Sequence, residues 1–207
     1  MKKLLLLLTI SCISSSVLAQ DWANLERFKK ENSTIMQEQK KAQRVVFMGN
    51  SITEGWSNFD PDFFNENQYI NRGIGGQTTP QMLLRFRQDV VDIKANTVVI
   101  LAGINDIAEN TGPITLNQIL GNIISMCELA DQNNIRVILC SVLPANNFPW
   151  QPKINPTQKV IELNKMIHEY ANSKSITYVD YYSKMVDEQQ GLISSYGYDP
   201  VHPNLEG

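Results

Sequence analysis

The chain has 207 residues, 43% of them hydrophobic and 19% charged, with a formal net charge of −3. That is about one domain's worth of sequence with ordinary globular composition, so overall disorder is excluded and a sizeable core can form without disulfide or metal. No basic stripe is present to follow a phosphate backbone, which argues against nucleic acid as a partner.

Taken in chain order, the first residues read as a secretory leader. Lys2 and Lys3 form a positive start, residues 4–10 an apolar stretch, and Val17-Leu18-Ala19 a small-residue cleavage signal before Gln20. The competing reading is a lipoprotein cut just before Cys12, for which Thr9-Ile10-Ser11 is an unfavourable lead-in. Loss of residues 1–19 leaves 16 basic and 21 acidic residues, a net charge of −5. No later apolar run reaches the ~20 residues of a membrane span. Residues 20–43 read as a helical lead carrying Trp22, Leu25 and Phe28, with a lysine-rich polar face beyond.

Short apolar runs then alternate with amphipathic stretches. The runs are 45–48, 69–74, 98–102, 136–143 and 177–181, and helical patterns cover about 78–93, 115–133 and 156–173. Continuous rather than alternating hydrophobicity implies strands buried on both faces, hence a parallel sheet. Strands alternating with helices make an α/β fold, a three-layer α/β/α sandwich of five strands built from right-handed crossovers. No repeat or linker divides residues 44–207. Cys127 and Cys140 both sit in apolar segments and read as buried free thiols. No Cys/His cluster has zinc spacing, so neither metal nor other cofactor is expected, and the oligomeric state is not legible.

In parallel α/β sheets, ligands gather beyond the carboxyl ends of the strands. Four polar blocks stand there: Gly49-Asn50-Ser51, "GIGGQTT" (73–79), "AGIND" (102–106) and "DPVHPN" (199–204). Each has a structural explanation taken singly. Ser51 and Glu54 form the S-x-x-E pattern of a helix capping box. Gly75-Gly76 suits a tight turn, Thr78 or Thr79 a cap with Pro80 at the first helical position, and Asn105-Asp106 an Asx turn.

Their joint chemistry is harder to set aside. A serine hydroxyl needs a base, usually histidine, to become a nucleophile. Of the two histidines, His168 lies mid-helix in "IELNKMIHEYA" with nothing catalytic nearby. His202 lies in a stiff loop between Pro200 and Pro203, three residues after Asp199, a spacing that lets a carboxylate hold one ring nitrogen while the other faces outward. Acyl transfer also needs donors aimed at an oxyanion, and the N–H groups of Ser51 and Gly76 and the amide of Asn105 are candidates.

These residues resemble the SGNH hydrolases, also called the GDSL esterase/lipase family. "GNSIT" looks like the family's first block, "NRGIGGQTT" its second, "GIND" its third and "DPVHPN" its last, in family order over residues 44–205. The resemblance implies Ser51 as nucleophile, His202 as base, Asp199 as its orienter, and an oxyanion hole of Ser51, Gly76 and Asn105. The second block looks closest to the platelet-activating-factor acetylhydrolase-like branch, whose members remove short acyl groups. Asn50 stands where the family usually has aspartate, and Gln77 where aspartate is common. The chain stops at Gly207 where relatives continue into a closing helix, so the domain is expected to be truncated there.

Trp56 and Trp150, the latter in "NNFPWQP" (146–152), are candidate substrate contacts whose alternative is ordinary packing. No long apolar lid segment appears. The expected function is an exported serine esterase acting on short acyl esters, acetyl groups on carbohydrate first. The alternative is a lysophospholipase or platelet-activating-factor acetylhydrolase-like lipid esterase. A flavodoxin-like phosphate- or nucleotide-binding module is a remote third, because G-x-G-x-x-G fails at Thr78 and GK[ST] is missing.

Overall fold

A computed structural model describes residues 21–37 and 43–207. The leader expected over residues 1–19 lies outside the described residues. Five strands form one parallel sheet: β1 (Val45–Gly49), β2 (Ile70–Gly73), β3 (Thr97–Leu101), β4 (Arg136–Cys140) and β5 (Thr177–Val179), in the order β2-β1-β3-β4-β5. Every pairing is parallel, with Val46 opposite Ile70 on one side and Val98 on the other. The three central strands supply the floor of the core: Val46, Met48, Val98, Ile100 and Leu139 are all buried. Burial on both faces is why these strands are apolar throughout.

Helices cover both faces. They are α1 (Lys29–Gln37), α2 (Ser51–Phe59), α3 (Pro61–Asn67), α4 (Thr79–Phe86), α5 (Ile104–Ile107), α6 (Leu116–Asp131), α7 (Thr157–Ser173) and α8 (Tyr182–Met185). A π-helical turn, Arg87–Val91, prolongs α4. The first crossover runs from β1 to one edge of the sheet and the later ones run the other way. Right-handed connections therefore put α2 and α3 on one face and α4, α6 and α7 on the other. The direction in which successive strands are added to the sheet reverses between β1 and β3, so their carboxyl ends open the crevice where such folds bind ligands.

Two expectations need correction. The lead is helical only from Lys29; Trp22, Leu25 and Phe28 precede α1 in a series of turns. The Asp21 carboxylate accepts from the N–H groups of Leu25 and Glu26, and Asn24 adopts a left-handed φ of 58°, which together favour turns over a regular helix. The helices α2 and α3 are missing from the helical patterns read above, where S-x-x-E alone marks the start of α2, because at 9 and 7 residues they are too short to sustain a period, and their apolar residues form an aromatic cluster. There Phe47 of β1 meets Trp56, Phe63 and Phe64 edge-on, with centroids 5.4–5.7 Å away. Trp56 stacks on Phe63 at 4.9 Å. Each such pair contributes ~0.5–1.5 kcal/mol beyond area burial.

A buried polar cluster ties the lead to this frame. The Arg85 guanidinium donates to Gln77 Oε1 (2.6 Å), Asp89 Oδ2 (3.0 Å), and the carbonyls of Gly49 (3.0 Å) and Arg72 (2.9 Å). Asn32 of α1 reaches in to donate to Asp89 Oδ1 at 2.7 Å and to accept from Arg72 Nη2 at 2.7 Å. Cys127 and Cys140 are buried free thiols, as read from their apolar surroundings.

Candidate active site

The turn from β1 into α2 places Ser51 at the first helical position, beyond the carboxyl end of a central strand. The cap of this helix is Asn50, whose Oδ1 accepts from Ile52 N–H at 3.0 Å. Ser51 therefore has its side chain free of capping duty, and the capping box expected from S-x-x-E is replaced by this arrangement. The Asn50 side-chain nitrogen has no partner and is the one such buried atom among the described residues. An aspartate there would strand no donor, so the substitution carries a cost of the kind paid by unsatisfied buried groups.

Ser51 Oγ lies 2.9 Å from His202 Nε2, and His202 Nδ1 lies 2.8 Å from Asp199 Oδ2. The short Asp-Pro-Val-His segment achieves this by wrapping on its own carboxylate: Asp199 Oδ1 accepts from the N–H groups of Val201 and His202, both at 2.8 Å. Burial pushes the Asp199 carboxyl up, but those two N–H bonds and the His202 ring outweigh it and hold it below its ordinary value. It stays an ionised acceptor at neutral pH, which fixes the proton of His202 on Nδ1 and leaves Nε2 to face Ser51.

Donors flank the serine from two further loops. Ile74–Gln77 is a tight turn closed by Gln77 N–H to the Ile74 carbonyl at 3.3 Å. Gly76 takes φ 74°, the value the third residue of a type II turn requires and that only glycine adopts without strain. Its N–H is unpaired among the described residues. The N–H of Ser51, in the first turn of α2, has no acceptor within its helix. Asn105 is buried on α5 and spends one amide N–H on the Gln77 carbonyl at 3.1 Å, leaving the other. Next to it, Asp106 accepts from Thr79 N–H (3.0 Å to both oxygens) and from Thr79 Oγ (2.6 Å). Burial pushes the Asp106 carboxyl up to about 6 in spite of those Thr79 bonds.

The sequence-predicted residues Ser51, Gly76, Asn105, Asp199 and His202 thus meet at one sheet edge. His168 sits far from them on the surface of α7, bonded to Asn172. The two tryptophans part company. Trp56, half-buried, packs its ring against Phe47 and Phe63, and it also lines a pocket of about 240 Å³ with Ile52, Leu143 and Pro203. Trp150 is 42% exposed, with its ring centroid 6.2 Å from that of His202. Of the two expected caps of α4, Thr78 takes the role, so Thr79 comes first in the helix and Pro80 second rather than first.

Three contributors escaped the sequence reading. Tyr198, 61% exposed, stacks on His202 at 5.5 Å and 10°. Asn110 accepts from Trp150 Nε1 at 3.1 Å and donates to the Gly76 carbonyl at 3.2 Å, bridging two loops. Glu54 accepts from Gly75 N–H at 2.9 Å and from Arg27 Nη2 at 3.1 Å. Only Glu54 left a trace, as the acid of the S-x-x-E pattern, and that pattern pointed to another partner. A groove of about 510 Å³ opens beside Ser51, lined among others by Arg27, Glu31, Glu54, Asn58 and Tyr198.

Comparison with known proteins agrees with this geometry. A putative acylhydrolase from Bacteroides fragilis NCTC 9343 superposes with a TM-score of 0.88 at 51% identity, covering 90% of this chain and 91% of that one. The human platelet-activating factor acetylhydrolase IB subunit alpha2 is 26% identical over 156 residues, 72% of this chain and 64% of that protein. A Bacillus subtilis (strain 168) protein described as the uncharacterized lipoprotein YqeF is 32% identical over 118 residues, 48% of each. The matched part thus spans about half to two-thirds of these curated relatives. The family model described as GDSL-like Lipase/Acylhydrolase matches residues 47–207, most of the sheet and every block of the site. The chain belongs to the GDSL-like lipase/acylhydrolase family.

Proposed function

We propose that this acylhydrolase is an exported serine esterase that removes short acyl groups, acetyl foremost, from a polar alcohol such as a carbohydrate. One observation carries the reading: an unbroken relay from Asp199 through His202 to Ser51, with contacts of 2.8 and 2.9 Å. In this reading His202 Nε2 takes the proton as Ser51 Oγ attacks the ester carbonyl carbon. The negative oxygen of the tetrahedral intermediate is held by Ser51 N–H, Gly76 N–H and the free N–H of Asn105. Protonated His202 then gives its proton to the leaving alcohol, and the acyl-enzyme remains. A water, deprotonated by His202, attacks that ester, and the acid departs as Ser51 regains its proton. Asp199 stays ionised throughout and stabilises the imidazolium.

The groove beside Ser51 supports a polar alcohol half. Its charged and amide lining would have to be desolvated without return by a long acyl chain. The exposed rings of Tyr198 and Trp150, both beside His202, suit the face of a sugar. The second reading is a lipid esterase, favoured by the similarity to the acetylhydrolase subunit. Export rests on the Lys2-Lys3 start and apolar stretch of residues 1–19, and a matching relative described as a lipoprotein supports it. The domain plan proposed is a leader over 1–19, a lead over 20–43 and the hydrolase domain from 44. Mass spectrometry of the exported protein should find Gln20 first; a lipidated Cys12 would replace the leader reading.

The test of the function is p-nitrophenyl ester hydrolysis by the protein and by Ser51→Ala, with acetate, butyrate and octanoate in series. The variant should lose at least ~10³-fold in kcat, and the rates should fall with chain length. Equal rates in both proteins would remove Ser51 from the chemistry. Turnover of phospholipid esters without turnover of acetylated oligosaccharides would favour the second reading.

A further inference from the structure

The peptide unit that presents the Gly76 N–H joins two glycines, so no side chain resists its rotation. Type I and type II turns differ mainly by a flip of this central peptide. In the type II form seen here, with Gly76 at φ 74°, the N–H has one orientation; the flip would turn it to the opposite side. A donor that must be aimed at a reacting oxygen therefore stands on the most easily inverted peptide of the loop.

What opposes inversion comes from both neighbours of that peptide. The preceding unit is held by Glu54, whose Oε2 accepts from Gly75 N–H at 2.9 Å. The following unit is held by Asn110, which donates to the Gly76 carbonyl at 3.2 Å. Glu54 projects from α2 three residues beyond Ser51, so serine and loop share one rigid support. The approach is close: a Cβ built on Gly75 would lie 3.0 Å from Glu54 Oε2 and 3.9 Å from Ser51 Cβ. The carboxylate is itself oriented from the lead, by Arg27 Nη2 at 3.1 Å from Oε1. Arg27 also supplies a positive charge beside a carboxylate that would otherwise face a developing oxyanion.

We propose that Glu54, oriented by Arg27, is a positioning residue that locks the Gly75–Gly76 peptide with its N–H toward the reacting carbonyl. The lead is then part of the working site rather than a spacer before it. This rests on the reading of Gly76 N–H as an oxyanion donor. Loss of one such donor costs ~10²–10³-fold in rate, and a loop that flips part of the time loses less.

The experiment compares Glu54→Ala, Glu54→Gln and Arg27→Ala with the unaltered protein on p-nitrophenyl acetate. Rates are expressed per site titrated by an organophosphate. A phenylboronic acid, which forms a tetrahedral adduct on serine, serves as a transition-state probe. Glu54→Ala should lower kcat by about 10–100-fold with KM within about twofold, and should weaken boronate binding by a similar factor. Glu54→Gln keeps an oxygen for Gly75 N–H and should recover most of that loss. Arg27→Ala should cost a few-fold. Retention of kcat within twofold in Glu54→Ala would overturn the proposal. So would equal losses in Ala and Gln variants, or a loss that appears only as fewer titratable sites. If Ser51→Ala also retained its rate, the functional reading itself would fail; a dead Ser51→Ala beside a fully active Glu54→Ala would refute the clamp alone.

Discussion

Asp106 offers the sharpest test of how the site's supporting frame responds to pH. Its carboxylate is buried, 1% exposed, with Thr79 N–H and Thr79 Oγ as donors. Asn122 extends the chain by donating to Thr79 Oγ at 3.0 Å. Burial lifts its pKa from the ordinary 3.8 to about 6, so the folded protein binds this proton more tightly than the unfolded chain. Stability from that difference is fully present below 3.8 and is lost as pH rises through about 6. At 1.36 kcal/mol per pKa unit the whole effect is about 3 kcal/mol, and the part falling between pH 7 and pH 5 is about 1–2 kcal/mol. Asp106→Asn keeps an oxygen for Thr79 and removes the charge. Urea unfolding of both proteins at pH 5 and pH 7 isolates the term, because Asp199 and the other acids cancel in the comparison. The gain in stability from pH 7 to pH 5 should be about 1–2 kcal/mol larger in the unaltered protein than in the variant. Identical pH dependences would refute the reasoning, since Asp106 would then titrate alike in both states.

Arg85 should be the costliest single truncation in the polar cluster. Arg85→Ala leaves the buried Asp89 without its cation and should destabilise by about 3–5 kcal/mol, read as a fall in the urea midpoint. Asp199→Asn should leave the fold intact and lower kcat for p-nitrophenyl acetate by ~10²–10⁴-fold, because His202 then loses the acceptor that fixes its tautomer. Trp150→Phe removes the Nε1–H that Asn110 accepts and should lower kcat by no more than several-fold while keeping an aromatic face. A larger fall than in Glu54→Ala would make Asn110 the main support of the Gly76 loop.

Much of the molecule was legible in one dimension because its signals are local. Burial on both faces obliges a central parallel strand to be apolar throughout, so β1, β3 and β4 announce themselves as runs such as Val45-Val46-Phe47-Met48. Alternation of those runs with amphipathic helices implies right-handed crossovers, and crossovers put the four polar blocks at one edge. The Asp199-to-His202 contact was also readable, because three residues of stiff chain bring the two side chains together with no help from elsewhere.

Tertiary structure alone decided the rest, because the determining contacts join residues far apart in the chain or serve two sites at once. Ser51 and Glu54 look like a capping box, yet Asn50 takes the cap and Glu54 reaches across to Gly75, an acceptor role no local spacing predicts. Trp56 and Trp150 are alike as sequence; packing on Phe47 and Phe63 half-buries the first, and the loop after β4 carries the second to His202. The lead reads as a plain amphipathic helix, whereas its turns and Asn32 meet Gln77, Asp89 and Arg72 in a buried network. Hydrophobic pattern reports which side of an element is buried. Which polar groups then find one another depends on how the buried sides pack, and only the folded chain settles that.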